Sequence, residues 1–146
     1  MSIKQQLIAR ILELLETLKV SGQLRTVERI TTANQLGAKR PSVHVIVGAE
    51  ANISEEEDLR GYVCEFPVAI ILLVEHPKDA AGAADELTGP IQEAIEGDIQ
   101  LSGLATKIVY QSAEPFSTEH SKPLGGMEIT YLVQYRRRRA QTSTSY

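Results

Sequence analysis

The sequence predicts an α+β domain: a mostly antiparallel sheet of about five strands with two main helices packed on it, in the order α-β-β-β-α-β-β. Three observations carry this. Apolar residues recur at helical spacing over residues 3 to 18, an unbroken apolar run (Val68 to Val74) follows Pro67, and apolar and other residues alternate from Met127 to Tyr135. The strands come in hairpin-like groups instead of alternating with helices, which favours antiparallel pairing.

The first helix carries Ile3, Leu7, Ile8, Ile11, Leu12, Leu14, Leu15 and Leu18 over about half its circumference, with Gln5, Gln6, Ala9, Glu13 and Glu16 mainly opposite. A stripe that wide covers more than one neighbour, so the helix lies across a sheet. Ser2 suits the N-cap and Ser21-Gly22 the stop. Leu24 to Ile30 reads as a strand of imperfect alternation, and residues 31–42, with Asn34, Gly37 and Pro41, as a connection. Val43, Val45 and Val47 predict a half-buried strand. Gly48 to Gly61 reads as a polar loop holding Glu55, Glu56, Glu57 and Asp58. Loops of that length inside a compact domain are often functional. Tyr62 to Val74 is apolar on both sides and predicts a strand covered on both faces.

His76-Pro77 ends that strand. The second helix spans Ala80 to Ile95, and Gly89-Pro90 predicts a kink or a fresh helix start inside it. Ile108 to Ser112 is a further strand, followed by a loop with Pro115, Pro123 and Gly125-Gly126. The alternating stretch Met127 to Tyr135 closes the order as a long two-faced strand.

At 146 residues the chain predicts one domain over residues 1–139, with 140–146, rich in Ser and Thr, as a flexible tail. Its 42% hydrophobic content supports a real core and excludes disorder of the whole. The longest apolar run is seven residues, far below the ~20 that span a bilayer, and the N-terminus carries Lys4, Arg10 and Glu13 where a signal peptide would be apolar. A single cysteine, Cys64, makes no internal disulfide, so the expectation is a soluble protein assembled inside a cell, with no membrane partner. The net charge of −4 is unevenly spread: residues 1–135 hold 11 Lys/Arg against 19 Asp/Glu, while Arg136, Arg137, Arg138 and Arg139 supply +4. A body of −8 lacks the basic face of a dedicated nucleic-acid binder.

Catalytic and metal-binding patterns are missing. His44, His76 and His120 have no paired spacing, and nothing matches local zinc-ligand patterns. His44 reads as a polar-face or interface residue and Cys64 as a small core residue. The acids from Glu55 to Asp58 lack the spaced pattern of a calcium loop and read as solvated. No Gly-x-Ser-x-Gly, P-loop or Gly-x-Gly-x-x-Gly is present, and Gly125-Gly126 precedes a strand, with no helix N-terminus to cradle phosphate. The expectation is a non-enzyme with no cofactor, no metal and no catalytic residue. The one hydrolytic alternative assembles His44, His76 and Glu65 from distant positions.

Three stretches resemble the tail terminator (tail completion) proteins of long-tailed bacteriophages and prophages. They are Phe66-Pro67-Val68-Ala69-Ile70, then Asp98-Ile99-Gln100-Leu101-Ser102-Gly103-Leu104-Ala105, similar to an Asp-x-x-Leu-Gly-Gly-Leu-Ala turn, and Gly126 to Arg136, similar to a final alternating strand ending in Tyr-Arg. The layout agrees over nearly the whole chain. Ser102 stands where Gly is common, and the Arg run after Tyr135 is an addition.

The resemblance implies a minor tail protein that forms a hexameric ring on the last ring of the tail tube. Such a ring stops tube polymerisation and offers the head-tail (neck) joining surface, in a virion assembled in the host cytoplasm. The implied partners are further copies of the chain, the tail-tube protein and a connector or head-completion protein, with DNA passing through the lumen unread. Under that reading Glu55, Glu56, Glu57 and Asp58 are candidates for a lumen or tube-facing loop, since acids repel phosphate. Arg136, Arg137, Arg138 and Arg139 are candidates for an inter-subunit or neck contact, since Arg pairs bidentately with carboxylates. The alternatives are a small-molecule- or peptide-binding α+β module and another neck or head-completion protein.

Overall fold

Helix α1 (Ile3–Val20) starts at a capping box: Gln5 N donates to Ser2 Oγ at 3.1 Å and Ser2 N donates to Gln5 Oε1 at 3.0 Å. It ends at Ser21, and Gly22 follows at φ +86°, a left-handed turn that glycine adopts without strain. Ile3, Leu7, Ile8, Ile11, Leu15 and Leu18 are buried, each worth roughly 1.5–3 kcal/mol of apolar burial. The computed structural model describes residues 2–30, 39–55, 61–76, 78–98, 101, 103–117 and 124–138. The segment 140–146 lies outside them.

Six strands form one sheet: β1 (Thr26–Arg29), β2 (Ser42–Val47), β3 (Ala51–Glu55), β4 (Gly61–Glu75), β5 (Lys107–Ser117) and β6 (Leu124–Arg138). The order is β1-β2-β4-β6-β5, with β3 also on β4; β1 and β2 run parallel and every other pair is antiparallel. This is the α+β class that the periodicities predict, with one strand more.

The extra strand is β3, which occupies what reads in sequence as a polar loop. β2 and β3 follow one another along the same edge of β4, with Val47 opposite Val68 and Ala51 opposite Glu65. The interruption between them falls at Pro67, whose carbonyl accepts from Gly48 N at 2.8 Å. In an antiparallel ladder a residue's N–H and C=O point to the same neighbour, so the N–H that Pro67 lacks would also have faced this edge. The ladder therefore breaks where β4 has no donor to offer. A Cβ on Gly48 would collide with the Pro67 ring, so the crossing needs glycine.

Helix α2 (Ala80–Glu96) lies between β4 and β5 in the chain and is capped by Asp79, whose Oδ1 accepts from Gly82 N at 2.9 Å. It runs through Gly89-Pro90 without a new start, because Ala84 on one side of the proline and Ile91 and Ile95 on the other are buried in the same core. In the following turn Leu101 takes φ +48° and is fully buried. Burial of the side chain offsets a left-handed cost of roughly 1–2 kcal/mol. β5 is longer than Ile108 to Ser112 and includes Pro115; as an edge strand it tolerates the missing donor.

β6 begins before Met127 and takes in Gly125 and Gly126, which are strand residues and not a loop. A Cβ on Gly125 would meet the Ala80 carbonyl at the start of α2, and one on Gly126 would meet the Phe116 ring on the opposite face. Two close approaches explain the pair.

Both helices pack on one face of the sheet. Cys64, Phe66, Val68, Ile70, Leu72 and Val74 of β4, with Tyr135, Val133, Tyr131, Ile129 and Met127 of β6, join α1 and α2 in one buried cluster. Tyr131 Oη donates to Glu96 Oε2 at 3.2 Å, tying β6 to the end of α2. The two-sided burial predicted for β4 holds on this face only. On the other, Leu73 is buried, Ala69 and Ile71 are half-buried and Pro67 is exposed.

Replacing Gly125 by alanine forces α2 away from β6. We expect a loss of about 1–3 kcal/mol, read as a lower denaturant midpoint with an unchanged slope. Gly126→Ala has a smaller effect, because the Phe116 ring can turn aside.

Candidate functional site

The described parts of the two charged segments that sequence singles out, Glu55 and Arg136 to Arg138, lie at one end of the sheet. Glu55, Tyr62 and Arg137 stand in one cross-strand row over β3, β4 and β6, and Gly61 faces Arg138. Glu55 closes β3; Glu56, Glu57 and Asp58 lie outside the described residues, as does Arg139. Along that row Glu55 and Arg137 are separated by β4, two strand spacings or roughly 10 Å.

The alternation of β6 divides the arginine run. Arg136 is exposed and shares a row with Val63 on the face away from the helices. Arg137 turns to the other face, where its guanidinium lies 5.0 Å from the Tyr62 ring centroid. Its Nε is 3.6 Å from Glu50 Oε2, close enough for an ion pair but too long for a hydrogen bond, so that buried N–H is left without an acceptor. Beside it the Cys64 thiol is buried; burial and then Glu50 push its pKa up, and Arg137 acts in the opposite direction. Cys64 is thus the core residue that its position predicts, and Arg137 is committed within its own chain.

A second polar cluster has no counterpart in the sequence reading. The parallel register of β1 and β2 places Glu28 opposite His44. His44 is fully buried, with Nε2 2.9 Å from Ser42 Oγ and Nδ1 2.8 Å from Glu28 Oε1. Arg40 Nη1 donates to Ser42 Oγ at 3.1 Å, and the same hydroxyl is within hydrogen-bond distance of His44 Nε2. The Nδ1 contact is close but not aligned, so neither it nor Glu28 Oε1 completes a hydrogen bond. Burial lowers the His44 pKa below 6.5 against the opposing pull of Glu28, and Arg40 lowers it further.

His44 is therefore a buried residue and not a polar-face one, because β1 brings a carboxylate over it. Ser, His and Glu at these spacings have the composition of a hydrolytic triad. Ser42, however, is also fully buried, so no substrate reaches its Oγ. The signal available in sequence was the pair Ser42-x-His44 on one face of a strand; Glu28 lies in a stretch that reads as a strand, but its parallel pairing with β2 could not be read. The set His44, His76 and Glu65 is not brought together. Glu65 sits six positions along β4 from Ile71, which faces His44, about 20 Å at 3.3 Å per residue. His76 Nδ1 instead accepts from Lys78 N and Asp79 N before α2. Among the described residues no group of three or more His, Cys, Asp or Glu could hold a metal ion.

Two expectations follow. A histidine whose folded pKa lies below its free value of 6.5 contributes stability above that pH and loses it as pH falls through the folded value. Thermal unfolding between pH 8 and 4.5 should show a fall in Tm below about pH 6.5 that His44→Gln flattens. Arg137→Ala should speed the reaction of Cys64 with a thiol reagent by opening its cover, whereas Arg136→Ala should leave that rate unchanged.

No protein-family model matches the chain. No curated protein matches it. Among solved structures, a chain from the virion of a native gene transfer agent particle is similar over 93% of this chain and 92% of that one, with a TM-score of 0.42 and 11% sequence identity.

Proposed function

We propose that the chain is a structural virion protein that forms a six-membered ring on the end of a tail tube, stops tube growth and offers the surface to which the neck joins. The observation that carries this reading is the resemblance of three stretches to tail terminators, together with the places those stretches occupy. Phe66 to Ile70 lies mid-way along β4 at the β2–β3 break, the turn after α2 buries Leu101 and Ala105, and Gly126 to Arg136 fills β6. All three are positions where the fold has special needs, so the likeness concerns architecture and not a reaction.

The chain performs no catalysis under this reading. Its nucleophile–histidine–acid set is sealed, and its acidic body repels DNA phosphate instead of binding it by counterion release. The end of the sheet carrying Glu55 and the arginine run supplies a contact with tube or neck. The arginine run as a whole is assigned to that contact, with Arg137 also held by Tyr62 and Glu50 within its own chain.

One feature favours the rival reading of a ligand-binding module. Arg25, Lys39, Arg40, Pro41 and Glu75 line an open cavity of about 520 Å³ at the other end of β4, a setting for a small anion.

Electron microscopy of tail tubes mixed with the protein tests the proposal. We expect a ring of six copies on one end of each tube and tubes that stop lengthening. Tubes that stay bare and keep growing overturn the reading; saturable phosphate binding lost in Arg25→Ala then favours the ligand-binding module. The double variant Arg136→Ala/Arg138→Ala should still cap tubes yet join capsids less efficiently than the parent.

A further inference from the structure

The sheet face turned away from both helices has an ordered layout of its own. Its centre is two adjacent rows with little charge. Ile46, Ala69, Thr130 and Ser112 form one across β2, β4, β6 and β5, and the wholly apolar Pro67, Leu132 and Val109 form the other across β4, β6 and β5. Ile46 is 42% exposed, high for an isoleucine in the middle of a sheet. Among the described residues no helix covers these rows.

Charge flanks the apolar centre with opposite sign on its two sides. On one side the next row is Glu65, Gln134 and Lys107, in which Gln134 Nε2 donates to Glu65 Oε2 at 3.3 Å, leaving Lys107 as the cation on β5. On the other side the row is Ile71, Glu128 and Glu114, with the two carboxylates directly opposite across β6 and β5. Like charges facing each other across strands destabilise a sheet. Among the described residues neither glutamate has an ion-pair partner to offset this, and Lys107 has none either.

We propose that this face is where a second copy of the chain docks, sheet against sheet, about a two-fold axis that crosses the strands between the rows of Pro67 and Ala69. A two-fold there exchanges the rows on either side of it. The apolar rows meet each other at the ~10 Å spacing of packed sheets. The Lys107 row comes to lie over the paired carboxylates, so Lys107 meets Glu114 of the partner subunit, with Glu128 of the partner subunit within reach of the same ammonium. The contact occurs twice. It neutralises the facing glutamates and covers apolar rows that no helix covers among the described residues. An interface that uses the same patch on both copies is closed at two. The inference concerns the chain free in solution and does not rest on the ring.

Charge exchange tests it without touching the core. Sedimentation equilibrium of the parent from micromolar to near-millimolar concentration should show a species of about 32 kDa, two chains of 16.0 kDa. Lys107→Glu alone and Glu114→Lys alone should each raise the dimer dissociation constant about tenfold or more. Lys107→Glu/Glu114→Lys in one chain should return it to within about threefold of the parent. An equimolar mixture of the two single variants should pair preferentially with each other, since only the mixed dimer has both contacts of opposite sign. A parent that stays at one chain throughout, or a dimer indifferent to these exchanges, overturns the inference. A six-chain species equally indifferent to them overturns it too and leaves the ring reading standing.

Discussion

Everything in this fold hangs on the pairing of β4 along both its edges. One edge is matched by β6 from Gly61–Arg138 to Glu75–Leu124, and the other is shared in series by β2 and β3. A strand with no free edge must satisfy every backbone donor and acceptor in the ladder. Pro67 is the single place where it cannot, and there the partner strand breaks, Gly48 crosses over and a new strand begins. The Phe66-Pro67 element of the resemblance thus has a direct physical meaning: it sets where the long hairpin bends.

The second organising fact is that the helices share a face. The wide stripe of α1 and the apolar residues on both sides of Pro90 in α2 converge on the even-numbered positions of β4. Fully burying a dozen or so Leu, Ile, Val and aromatic side chains there is enough to hold a two-layer domain. On the odd-numbered face Leu73 is buried, Ala69 and Ile71 are half-buried and Pro67 is exposed, and among the described residues no helix lies over them. A strand as apolar as Val68 to Val74 is costly to leave bare on either face.

Charge placement follows from strand parity in the same way. The four arginines look alike in sequence, but β6 turns Arg136 and Arg137 to opposite faces, and only the latter finds Tyr62 and Glu50. Near the other end of β4, the parallel register of β1 and β2 sets Glu28 beside the buried His44, with Ser42 and Arg40 completing the cluster. Neither property belongs to a residue type; each is a consequence of which strand lies alongside.

Local periodicity by itself determined α1, β1, β2, β4, β6, the body of α2, the start of β5 and hence the α+β class, because a 3.6-residue or two-residue repeat of apolar side chains admits one partner geometry whatever the rest of the chain does. It also marked the capping serine, the Ser21-Gly22 stop and the two charged segments. Tertiary structure alone decided the remainder. β3 is too short and polar to declare itself and exists because β4 continues past Pro67 with an edge to fill. Pro90 stays inside a helix because Ala84 and Ile91 are pinned to one core, and Gly125 and Gly126 are strand residues because α2 and Phe116 press on them from opposite sides. Glu55 and Arg137 share a row, and Glu28 reaches His44, only through pairings between strands distant in sequence. Such contacts carry no local repeat, so no window along the chain contains them.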